Sequence, residues 1–92
     1  MRNVTEEIVR QVYQDLLPTA GPVHEGCEIC REDVLVYALN RLQPHYVSTL
    51  KGAVLTKLEL DSGQGSADVA VALMEGFRFV AVSPRCGREP YL

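Results

Sequence analysis

Residues 24–40 read HEGCEICREDVLVYALN. Cys27 and Cys30 stand three apart where a helix is due to begin, with His24 just upstream. From Cys30 onward apolar residues return at Val34, Ala38 and Leu42, with Leu35 beside them. That spacing draws one buried face of a helix that starts near Cys27 or Cys30 and stops at about Leu42, before Pro44. Asp33, Tyr37 and Asn40 share the adjoining face at spacings of four and three.

The two thiols admit three readings. A thioredoxin-like redox pair needs a strand before the motif in a βαβ pattern, and that pattern is missing. Cysteines are also often buried simply as small apolar side chains. As metal ligands, thiolates at a helix start are close enough to share an ion and are favoured by the helix dipole. A zinc site takes further donors. Cys86, in SPRCGR, is the other cysteine of the chain, and His24 stands ahead of Glu25 and His45 for the fourth place. Cys27, Cys30, Cys86 and His24 are therefore the candidate structural zinc ligands.

Outward from this helix the chain reads as further helices. Val4, Ile8, Val9, Val12, Tyr13, Leu16 and Leu17 trace one face of a helix over residues 3–17, with Asn3 as N-cap and Glu6 and Glu7 at the positive end of its dipole. Pro18 and Gly21-Pro22 end it. QPHYVSTLKG, residues 43–52, reads as an extended connection, and residues 53–60 fit a helix or a strand equally. After the polar loop DSGQG, Ser66 is placed to cap a last helix ending before Pro84, although a strand is open for residues 77–82. Asp68, Glu75 and Arg78 form a narrow polar stripe on it, and Val69, Ala70, Leu73, Met74, Phe77 and Val80 surround the rest. A helix apolar nearly all round must be buried. Three short neighbours cover about one side, so a second copy of the chain is expected to pack on the other. The expected fold is a mainly α, single-domain bundle of about four helices over residues 1–92, homodimeric.

Ninety-two residues with 47% hydrophobic and 23% charged side chains suit one soluble globular domain. A net charge of −3 argues against direct binding of long nucleic acid. No apolar run approaches the roughly 20 residues of a membrane helix, and no signal peptide is visible. Three cysteines are too few and too odd for a disulfide framework. The chain reads as cytoplasmic with no membrane contact. It has no Gly-rich phosphate loop and no nucleophile–base pair, so no catalytic residues are assigned and an enzyme is not expected. Arg85 and Arg88 read as surface charge.

At CEICREDVLVYALNRLQPHYVSTLKG the sequence resembles the late competence development family called ComFB. The matching positions are Cys27, Cys30, Asp33, Val34, Ala38, Leu39, Asn40, Leu42, Pro44, Tyr46, Val47 and Gly52. Thr56-Lys57-Leu58, Ala67-Asp68-Val69 and Ser83-Pro84-Arg85 agree as well. The resemblance implies a small helical, dimeric, non-enzymatic bacterial protein tied to competence or motility, with zinc on cysteines and a cyclic dinucleotide as ligand. Near Glu25 some relatives carry a further cysteine, which points here to a mixed donor set or to no zinc.

A cyclic dinucleotide brings two phosphates and two purines, which call for cations, stacking surfaces and acceptors for base edges. Tyr46, Thr49 and Lys51 in the extended connection, with Arg31, Asp33 and Arg41 of the second helix, are the candidate contacts, with cyclic di-GMP ahead of cyclic di-AMP. Such a receptor would act through an unidentified regulatory protein. The alternative is a zinc-stapled adaptor that binds a protein and no small molecule.

Overall fold

The computed structural model describes residues 1–60 and 64–90, in the order β1 (Arg2–Asn3), α1 (Val4–Leu16), α2 (Glu28–Leu39), β2 (Tyr46–Val47), α3 (Leu50–Leu60) and α4 (Gln64–Val82). It is mainly helical, with four α-helices among the described residues. None of them is long and apolar enough to cross a membrane.

The N-terminus is fastened by short polar residues. Asn3 Oδ1 caps α1 by accepting from the Thr5 amide at 3.2 Å, and it also accepts from the His45 amide at 2.9 Å. β1 and β2 pair antiparallel, with Arg2 opposite Val47 and Asn3 opposite Tyr46. The Thr5 hydroxyl, itself buried, donates to the Gln43 carbonyl at 2.8 Å. These bonds tie the loop after α2 to the first turn of α1.

The expected extended connection is shorter than its sequence suggests. Of this stretch only Tyr46 and Val47 form a strand. Thr49 Oγ1 accepts from the Gly52 amide at 3.0 Å, as an N-cap does, and Leu50, Lys51 and Gly52 already belong to α3. Residues 53–60 are helical. The last helix starts at Gln64, ahead of Ser66, so Ser66 is not its cap, and residues 77–82 continue it without a strand. Of the expected polar loop DSGQG, Gln64 and Gly65 belong to α4, and residues 61–63 lie outside the described residues.

The core is α2 against α4, closed on one side by α1. Cys30, Val34, Leu35 and Ala38 face Val69, Leu73, Val80 and Ala81, and Val9 and Tyr13 complete the cluster. Tyr13 stacks on Phe77 with centroids 5.2 Å apart. Each fully buried Val or Leu contributes roughly 1.5–3 kcal/mol. Gly76 is what lets the two helices approach: a Cβ there would lie 3.2 Å from the Val34 carbonyl oxygen and 3.3 Å from both Val34 Cγ1 and Tyr37 Cδ1. Gly76→Val should therefore cost about 2–3 kcal/mol by overpacking, read as a lower denaturant midpoint at unchanged slope.

α3 is different. Ala53 is its one buried residue, while Leu50, Val54, Leu55 and Leu58 are exposed. On α4, Val71, Met74, Phe79 and Val82 are likewise exposed, and Leu73 is wholly buried within the single chain.

Candidate functional site

Two adjoining features meet where the chain leaves α4 and turns back across the start of α2. The first is a thiol cluster. Cys27 is the N-cap of α2, and its Sγ accepts from the Cys30 amide at 3.4 Å. Cys30 is buried in the first turn, and its Sγ lies 3.4 Å from that of Cys86. All three sulfurs fall within 4.8 Å of one another. Thiolates around a tetrahedral zinc sit about 3.8 Å apart, so the cluster can hold a metal ion with little rearrangement.

The three thiols are not equivalent. The Cys30 amide bond, which favours the thiolate, lowers Cys27 to about 7. Burial, chiefly, raises Cys30 to about 12. In metal-free, reduced protein, iodoacetamide should thus label Cys27 first, at a rate that climbs as pH rises through about 7. Cys30 should stay unlabelled well beyond that, and mass spectrometry of the digested protein separates the two.

His24 does not join the cluster. It is buried in a short turn over residues 22–24, where Nε2 donates to the Phe77 carbonyl at 3.0 Å and the ring meets that of Phe77 edge-on. Burial lowers its pKa and favours the neutral imidazole. Its place is set by Phe77 of α4, and among the described residues no His, Asp or Glu side chain joins the three thiols.

The second feature is a groove of about 480 Å³ between α2 and the end of α4. Tyr37, Asn40 and Arg41 line one side, and Phe79, Ser83 and Arg85 the other. Tyr37 and Phe79 stack at 5.1 Å, with Arg41 Cζ 3.5 Å above the Tyr37 ring. Phe79 is 65% exposed. At the far end Arg85 grips Asp33 through two bonds, Nε to Oδ2 at 3.0 Å and a terminal nitrogen to Oδ1 at 3.1 Å. Two guanidinium groups against one carboxylate leave the groove cationic.

The residues singled out from the sequence divide. Asp33 and Arg41 line this groove, while Arg31 lies about 200° round α2 from Asp33. Arg31 faces Tyr13 and Gln14 on the α1 side. Tyr46 is exposed on β2, Thr49 caps α3, and Lys51 is exposed on its first turn, none of them in the groove. Arg85 and Arg88 are more than surface charge: Arg88 donates to the carbonyls of Val23 and Glu25 at 3.2 and 2.6 Å. Phe79 escaped the sequence reading, and Arg85 reads from sequence as surface charge, because both meet α2 only through the fold.

Comparison with known proteins agrees with this architecture. The family described as Late competence development protein ComFB matches residues 2–84. The Competence protein ComFB of Bacillus subtilis (strain 168) is 38% identical over 58 residues, 63% of this chain and 59% of that protein. The match thus spans less than two thirds of the relative's length. The solved structure of the late competence protein ComFB from Bacillus subtilis superposes with a TM-score of 0.79, at 29% identity and over 90% of each chain.

Proposed function

As this chain belongs to the late competence development protein ComFB family, we propose that it is a non-enzymatic signalling protein that binds a cyclic dinucleotide in the α2–α4 groove. Cyclic di-GMP is the preferred ligand, and the regulated process is competence or motility, through a partner protein. The observation that carries this is the Tyr37–Phe79 stack, an aromatic platform open to solvent with Arg41 laid over one end.

A purine can stack on the exposed face of Phe79, a contact worth about 1–3 kcal/mol per base. Arg41 is placed for a phosphate. Asp33 can accept from the N1–H and exocyclic amine of guanine, and Arg85 can donate to O6 and N7. Adenine offers no such donor pair to a carboxylate. The ion pair that the ligand would loosen is exposed and screened by solvent, so a guanine edge displaces it at small cost.

Zinc on Cys27, Cys30 and Cys86 would stabilise the start of α2 and the end of the chain, with a fourth donor from outside the cluster, such as water. A homodimer would cover the exposed apolar residues of α3 and α4, including Leu50, Leu58, Val71 and Met74.

Calorimetric titration with cyclic di-GMP and cyclic di-AMP tests the ligand. Phe79→Ala and Arg41→Ala should each weaken cyclic di-GMP by about tenfold or more. Tyr46→Ala and Lys51→Ala should leave it nearly unchanged. Absence of binding to either nucleotide, or a loss confined to the Tyr46 and Lys51 variants, would overturn the assignment.

A further inference from the structure

We infer that a metal ion on Cys27, Cys30 and Cys86 fixes Arg85 in the groove, so that metal occupancy sets the ligand affinity of the protein. The inference rests on the groove reading above and adds its regulation.

Residues 83–88 form a single strap that serves both features. Arg85 reaches forward to Asp33 in the groove, and Cys86, the next residue, reaches back to Cys30 in the thiol cluster. Both partners stand on the same helix, Cys30 in the first turn of α2 and Asp33 three residues on. A metal clamping Cys86 to Cys30 would therefore hold Arg85 at a fixed distance from Asp33 and from the aromatic platform.

Without that clamp the part of the strap around Arg85 has weak holds. The Arg85–Asp33 pair is exposed, with Arg85 the more open partner. A turn closes through Gly87, whose φ of +85° suits glycine and few other residues, by a bond of 3.5 Å to the Pro84 carbonyl. Arg88 adds two bonds to carbonyls, and the sulfur contact itself is weak. The Arg88 bonds anchor the strap three residues past Arg85, and an exposed ion pair and a long turn bond hold Arg85 itself less firmly than thiolate–metal bonds at the neighbouring Cys86 would. Cys86 is thus a positioning residue: it does not line the groove and acts on the nucleotide through Arg85.

Two readouts on the full chain test this. Amide hydrogen exchange is compared with zinc bound and after chelation, and cyclic di-GMP is titrated in the same two states. Exchange over residues 83–88 should quicken by about tenfold on chelation while core amides such as those of Val9 and Leu73 hold. Cyclic di-GMP should bind about tenfold more weakly, within the usual range of coupling between sites. Cys86→Ser should match the chelated protein, and Arg85→Ala should bind weakly with or without zinc. Unchanged exchange in the strap, or equal nucleotide affinity in the two states, would overturn the inference alone. A zinc-loaded protein that binds no cyclic dinucleotide would overturn the groove reading, and the control of affinity with it.

Discussion

Leu73→Asp is expected to leave no folded protein at any concentration. Leu73, on α4, is wholly buried and belongs to the core cluster that α4 forms with α2 and α1. Deleting a buried leucine costs about 2–5 kcal/mol, and an unpaired carboxylate in its place adds more. A domain of this size holds only about 5–15 kcal/mol in all. Met74, the next residue, is 59% exposed, so Met74→Asp should keep its helical spectrum and a cooperative melt. If a second copy covers this face, light scattering at micromolar concentration should give about twice the chain mass for the unmodified protein and about the single mass for Met74→Asp. A cooperative melt from Leu73→Asp would contradict the packing of α4.

Chelation should have the next largest effect. Protein purified without chelator is expected to carry about one zinc per chain, as a structural thiolate site does. At a thousandfold excess over Kd, bound metal adds about 4 kcal/mol, which in a domain of this size is on the order of 20 °C in melting temperature. The difference between zinc-bound and chelated protein should shrink as pH falls, because protons compete for the thiolates and weaken the metal's hold. A metal content below about a tenth of the site, with unchanged melting after chelation, would remove zinc from the account.

Much of the helical framework was legible in the chain. Asn3 with the periodic run that follows it, and Cys30, Val34 and Ala38 at helical spacing, announce α1 and α2 because those faces are buried in the fold. Residues 53–60 resisted because α3 buries only Ala53, so its apolar residues answer to no core and show no clean period. α4 is apolar on most sides, and no pattern within it says that Leu73 is inside and Met74 outside; α2 and Gly76 decide that. The thiol cluster was half visible, since Cys27 and Cys30 are local while Cys86 returns from 56 residues away to meet Cys30. The groove was less so. Asp33 and Arg41 lie on α2, but Arg85, 52 residues from Asp33, and Phe79 reach it only once α4 has packed.

The central claim, a cyclic dinucleotide seated between α2 and the end of α4, is tested most directly by NMR of isotopically labelled, zinc-loaded protein titrated with cyclic di-GMP. Saturable shifts should concentrate at Asp33, Tyr37, Asn40, Arg41, Phe79 and Arg85, with the aromatic protons of Phe79 moved by the stacked base. Shifts gathered instead around Tyr46, Thr49 and Lys51, or none at millimolar nucleotide, would contradict it.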